Sequence, residues 1–243
     1  MAQQKSLATV TSELVADRGY EWAWTEFKAT IVGLAEAFAL ERVLEVGGGR
    51  GPMFSSAEAN ALGIDYSIND IAQEELDASP ADFAPDHKVL FDIGGPLTPE
   101  GQFDLVFSKT VLEHVTDTMR AHRNTYQLLR TGGVALHFYP TLYSPPFVAN
   151  WLLPERISSV LLRHLGATHK KFPARYDHCT STRSLAEDLR RVGYSEVELV
   201  PFWGHGYFDR LPVLREVDRW LATKARERDF RLYSSYCYAI ARK

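Results

Sequence analysis

Residues 43–51 read VLEVGGGRG. Three apolar residues around Glu45 make a short buried strand, and the glycines after it limit what the chain can become. Glycine reaches left-handed backbone conformations without steric cost and lets main-chain N–H groups come close to a ligand. A strand that runs into such a loop ahead of a helix is the corner where open α/β sheets hold nucleotide-like ligands. The dinucleotide fingerprint wants glycine at its first, third and sixth positions. Counted from Gly47, the third is Gly49 but the sixth is Pro52, which weakens a nicotinamide reading.

Around this corner, apolar strands alternate with helical stretches. Strands are predicted at 42–46, 63–66, 88–91, 103–107, 134–139, 196–202 and 232–241. Helices are predicted at 20–40, 54–61, 69–78, 118–130, 182–192 and 211–227, with Gly132-Gly133 closing the fourth. That rhythm predicts an α/β fold with a parallel, doubly wound sheet. The stretch PTLYSPPF interrupts it, and residues 141–175 read as a cap-like insertion with a helix from Pro154 to Leu165. A length of 243 residues, 45% hydrophobic and 24% charged, suits one large domain with that insertion. A net charge of -4 gives no global footprint for nucleic acid. Cys179 and Cys237 form no metal-ligand motif and suggest reduced thiols. With no secretory leader and no apolar run of about 20 residues, the expectation is a cytoplasmic protein without a membrane span.

Glu45, Gly47, Gly49 and Gly51 fit E-x-G-x-G-x-G, and here the chain resembles the class I S-adenosylmethionine-dependent methyltransferases. Taken alone, the motif also suits a tight structural turn or another nucleotide site. Asp65 in GIDYS, with Tyr66 beside it, is placed at the end of the second strand, where a carboxylate accepts ribose hydroxyl hydrogen bonds. Asp92 in VLFDIGG, followed by Ile93, resembles the family's acidic contact to the adenine amino group; capping a turn is its alternative. FDLVFSKTVLEHV resembles the fourth-strand motif, with Ser108 and Lys109 beside the sulfonium, and LLRTGGVALHFYP resembles the helix–strand unit after it. The resemblance implies a Rossmann-like, doubly wound seven-stranded sheet of order 3-2-1-4-5-7-6, last strand antiparallel, with helices on both faces. Residues 1–243 then form a single domain, with an N-terminal helical segment 1–40.

The methyl group of such a donor is already activated, so the protein mainly aligns an acceptor for in-line displacement. A hydroxyl acceptor also needs a base or a metal. His114, just beyond the fourth strand, is the first candidate base, with Glu113 beside it. In some quinone O-methyltransferases a similar Glu-His pair binds a divalent cation, which makes Glu113 and His114 candidate Mg²⁺ ligands. Those enzymes carry a further carboxylate where this chain has Thr110, leaving Asp117 or Asp177 as substitutes. An adjacent Glu-His at a helix start is otherwise ordinary capping. His178 and His205 lie on loops that suit an acceptor site, whereas His137 reads as structural. Tyr143, Phe147, Trp151 and Leu153, with Phe202, Trp203, Tyr207 and Phe208, suit a pocket for a sugar or an apolar molecule. Equally, Ile157, Val160, Leu161 and Leu165 suit packing or a homodimer contact. Lys170, Lys171 and Arg175 suit an anionic group or a solvated face. The expected activity is O-methylation of a hydroxyl on a saccharide or other small metabolite. An NAD(P)-dependent oxidoreductase and a noncatalytic nucleotide-binding scaffold are the alternatives. SKTVL stands where an NPPY-type motif would follow the fourth strand, which disfavours protein or nucleic-acid substrates.

Overall fold

A computed structural model of the chain describes residues 5–96, 102–152 and 174–243. In β1 (Arg42–Val46) every residue from Val43 to Val46 is buried, as a strand must be when it has neighbours on both edges and helices on both faces. β2 (Asp65–Asp70) and β4 (Phe103–Lys109) flank it in parallel, with Val43 level with Tyr66 and Leu105. β3 (Lys88–Leu90) pairs with β2, and β5 (Leu129–Pro140) with β4, again in parallel. β7 (Tyr236–Arg242) lies antiparallel between β5 and β6 (Glu196–Phe202). The seven strands take the order β3-β2-β1-β4-β5-β7-β6, the arrangement that the resemblance implied.

The described residues of segment 1–40 form three helices, α1 (Leu7–Leu14), α2 (Tyr20–Thr25) and α3 (Phe27–Phe38). The single helix expected over 20–40 is broken at Glu26, which caps one helix and starts the next. The break lets Trp22 stack on Phe202 while Trp24 meets Phe138 and Tyr236. Phe27, Ile31, Leu34 and Phe38 bury one face of α3 at three- and four-residue spacing. Among the described residues the further α-helices are α4 (Ser56–Ala61), α5 (Gln73–Asp77), α6 (Thr118–Leu128), α7 (Pro145–Leu152), α8 (Arg183–Val192) and α9 (Pro212–Glu227). The helix expected from Pro154 to Leu165 lies outside the described residues, as do Leu153, Lys170 and Lys171.

Several element boundaries depart from expectation; the helix expected over 69–78 spans Gln73–Asp77, and the strand expected over 232–241 begins at Tyr236. Gly132-Gly133 does not close α6, which ends at Leu128; both glycines lie inside β5. A Cβ on Gly133 would stand 2.9 Å from the Asp104 carbonyl oxygen, so glycine is what lets β5 approach β4 where their register shifts. β2, expected over 63–66, begins at Asp65 and runs on to Asp70. Its polar residues Ser67 and Asn69 mask a strand, yet both are buried. The Asn69 amide donates to the carbonyls of Asp70, Val89 and Phe91, which ties the end of β2 to the end of β3. Among the described residues no helix is long and apolar enough to cross a membrane.

Candidate active site

The carboxyl ends of β1, β2 and β4 open on a cavity of about 740 Å³. This is where parallel sheets present ligands, because the loops leaving adjacent strands diverge there. Val46 and Gly47 close it from β1, Asn69 to Ile71 from β2, and Phe91 to Gly94 from the chain after β3. Thr110, Val111 and the segment from His114 to Asp117 close it from beyond β4. Ile71, Ile93, Val111 and Val115 make its walls apolar, while Asp70 and Asp92 bring two carboxylates to one side.

The glycine loop earns its composition unevenly. Gly47 has φ +77°, and a Cβ there would meet Val111 Cγ2 at 2.5 Å; one on Gly49 would meet Asp70 Oδ2 at 2.6 Å. Gly51 has nothing within 4 Å of such a Cβ, so no neighbour requires glycine there. Glu45, expected to hold the donor, lies instead beneath the loop and is not among the residues lining the cavity. Its Oε2 accepts the Met53 N–H at 2.8 Å and the Tyr66 hydroxyl, so both residues brace the loop from inside. Burial pushes the Glu45 carboxyl up to about 7, with those hydrogen bonds pulling the other way.

Asp65 is a correction of position. It is the first residue of β2, at the end of the sheet away from the cavity, where Oδ2 lies 3.3 Å from Arg42 Nε and Oδ1 3.7 Å from His87. Tyr66, next to it, is buried. Five residues of strand, about 17 Å, separate Asp65 from the carboxylate that does reach the cavity, Asp70. Asp70 Oδ1 accepts the Ala72 N–H at 3.1 Å, which leaves Oδ2 beside Gly49. Asp92 and Ile93 line the cavity as placed. Asp92 Oδ1 accepts the Gly94 N–H at 2.8 Å, and Asn124 donates to the carbonyls of Ile93 and Gly95, anchoring that loop to α6.

Beyond β4 the expected residues separate. Ser108 is fully buried, its Oγ 2.8 Å from His137 Nδ1, so its side chain is taken by the core and not by the cavity. His137 is held neutral by burial, down to about 4. The Lys109 ammonium lies 4.7 Å from the Trp24 ring centre, away from the cavity lining. Thr110 holds φ +55°, rare for a β-branched residue, and turns the chain sharply into the cavity. His114 reaches the cavity with 36% of its side chain exposed, while neighbouring Glu113 is buried. Glu113 Oε1 stands 3.8 Å from His114 Nε2, and its Oε2 has no hydrogen-bond partner. Burial pushes the Glu113 carboxyl up to about 8. The two substitutes for a third metal ligand are engaged at the start of α6, Asp117 accepting the Arg120 N–H and Asp177 the Thr118 N–H. Among the described residues no group of three His, Cys, Asp or Glu side chains is placed to hold a metal ion.

The loop histidines part from the site as well. His178 is exposed on a turn beside Asp177, outside the cavity lining. His205 lines a different cavity of about 490 Å³, formed with Tyr20, Trp22, Gly204 and Asp218. It is buried, with Nδ1 accepting the Tyr207 N–H and Nε2 3.3 Å from Asp218 Oδ1. The rings expected to suit a pocket are dispersed. Phe147 and Trp24 meet Tyr236, the first residue of β7, at the same rim of the sheet, and Tyr207 packs on Phe147. Glu113 lies close enough to this group to add to the raising of Tyr207, after burial. Phe202 and Trp203 are core residues, and Tyr143 and Trp151 are exposed.

The sheet order and the cavity above β1 define a Rossmann-like methyltransferase fold. Residues 17–199 match the model of a methyltransferase domain family, and the chain belongs to that family, in the class I, S-adenosylmethionine-dependent group. Among solved structures it is similar to an S-adenosylmethionine-dependent methyltransferase from Mesorhizobium loti, at TM-score 0.55 and 19% identity over 91% of this chain and 97% of the other. It is also similar to a SAM-dependent methyltransferase from Archaeoglobus fulgidus, at TM-score 0.53 and 17% identity over 92% and 100%. The CurJ carbon methyltransferase matches at TM-score 0.51 and 16% identity, over 98% of this chain and 58% of that one. No curated protein sequence matches the chain.

Proposed function

We propose that the 740 Å³ cavity binds S-adenosylmethionine and that the protein transfers its methyl group to a hydroxyl of a small metabolite or saccharide. The observation that carries this reading is the pairing of a glycine loop in which a Cβ would crowd Val111 at Gly47 and Asp70 at Gly49 with the carboxylates Asp70 and Asp92 at an apolar slot. In it, Asp70 accepts the ribose hydroxyls in place of Asp65, Asp92 meets the adenine amino group, and Ile71 and Ile93 cover the base. The donor, when bound, supplies a methyl carbon activated by its sulfonium charge.

The chain's own work is alignment and proton removal. The acceptor is read as sitting at the rim beside the rings around Tyr236, of which Trp24 is exposed while Phe147 and Tyr236 are buried. His114 takes the hydroxyl proton, and Glu113, buried beside it and held protonated by that burial, is a neighbour of the ring and not its counter-ion. In this reading Mg²⁺ has no role, since Glu113 and His114 lack a third ligand among the described residues. Membership of a methyltransferase family also favours this activity over an oxidoreductase. The test is transfer of labelled methyl to an acceptor panel by the wild type and by His114→Ala. The variant should lose about 10²- to 10⁴-fold in turnover while binding S-adenosylhomocysteine as the wild type does. Full turnover in the variant removes His114 as the base.

A further inference from the structure

Helix α9 shows an apolar stripe that nothing among the described residues covers. Val213, Leu214, Val217, Trp220 and Leu221 are 77%, 50%, 52%, 61% and 39% exposed. At 3.6 residues per turn these five fall within roughly 120° of the helix circumference. The face that packs on the domain is a different one, carried by Asp218, Ala222 and Ala225. Exposed apolar side chains scattered singly need no explanation, but a continuous stripe along a four-turn helix marks a contact surface. Leu214, Val217 and Leu221 repeat at intervals of three and four, the spacing of a seam between two helices.

We propose that this stripe is the interface of a two-fold homodimer in which α9 packs antiparallel against α9 of a second copy. Area is the first argument. The five exposed portions amount to on the order of 500 Å² per copy, so that a symmetric pair buries about 1,000 Å², the threshold for a specific interface. Charge is the second. One end of the stripe carries Asp209 and Arg210, the other Lys224 and Glu227, so each end holds both signs and neither presents a single-sign field that would hold two copies apart. The cations along the helix are matched by acids, Arg215 and Arg219 with Glu216, Lys224 with Glu227, and Arg226 with Asp17. A helix that lies on an anionic membrane instead presents an excess of Lys and Arg, and this chain has a net charge of -4. Val217 stands at the middle of the stripe, so a two-fold axis there brings it against the same residue of the second copy.

The experiment is sedimentation equilibrium of the wild type, Val217→Glu, Val217→Lys and an equimolar mixture of the two variants, each checked for an unchanged far-ultraviolet circular dichroism spectrum. The proposal expects twice the chain mass for the wild type at micromolar concentration, the single mass for each variant alone, and return of the double mass on mixing. A wild type of single mass at every concentration overturns it, as does a variant that keeps the double mass. Single mass together with pelleting on phosphatidylserine vesicles assigns the stripe to a lipid surface and equally overturns the dimer. Failure of the mixed variants to associate overturns the antiparallel arrangement.

Discussion

Two aspartates on β2 divide between them what a single position was expected to do. Asp65 starts the strand in an ion pair with Arg42, and Asp70 ends it on the cavity beside Gly49. Losing a charged acceptor of ligand hydroxyls costs about 1.5–3 kcal/mol. Asp70→Asn should therefore weaken S-adenosylhomocysteine binding by roughly 10- to 100-fold, whereas Asp65→Asn should leave it unchanged; calorimetric titration of both variants checks this. The misplacement has a physical origin. Ser67 and Asn69 look like the end of a strand because their side chains are polar, and only the backbone carbonyls that the Asn69 amide meets in three dimensions make that residue compatible with burial. Gly47, Asp92 and His114 were legible because their positions depend on the loop beside them. Glu45 was legible as important, but its direction was not. Its carboxyl, raised to about 7 by burial, stays protonated in the folded protein after the unfolded chain has released its proton near 4.5. The Glu45 contribution to folding stability therefore falls as pH rises from about 4.5 to about 7 and levels off above that. Urea melts from about pH 5 to about pH 7.5 should show the wild type losing stability relative to Glu45→Gln across that window. Parallel pH profiles for the two proteins would contradict the assignment.

At the scale of elements, the strands with plain apolar patterns were read closely. β1 and β6 match residue for residue, because each runs from a polar start to an apolar end with a turn signal after it. β5 was shortened in the reading because Gly132-Gly133 looks like a helix stop. Its true reason is the close approach of the strand to Asp104. The loops at the rim depend on contacts distant in sequence, such as the Asn124 amide that anchors the loop carrying Asp92. No local pattern announces such a contact. Gly47→Ala tests the loop as a unit. The added methyl needs φ near +77° and meets Val111 Cγ2 at 2.5 Å, so the loop must shift or Val111 must yield. About 1–3 kcal/mol of strain is expected, read as a lower melting temperature together with weaker S-adenosylhomocysteine binding. Gly51→Ala, with open space around it, should change stability little.

For the whole molecule, the sheet order followed from a family resemblance carried by four motifs in sequence, and the topology agrees with it at every strand. The acceptor is less legible, since the rings at the rim proposed for it come from α2, α7, the segment after β6 and the start of β7, and meet only in the folded chain. The central claim concerns the donor, and one titration reaches it directly. Purified protein is titrated with S-adenosylhomocysteine in a calorimeter, with NAD⁺ as the control ligand. The account predicts saturable binding of S-adenosylhomocysteine at one site per chain and no saturable heat from NAD⁺. Saturable NAD⁺ binding without any response to S-adenosylhomocysteine would contradict it.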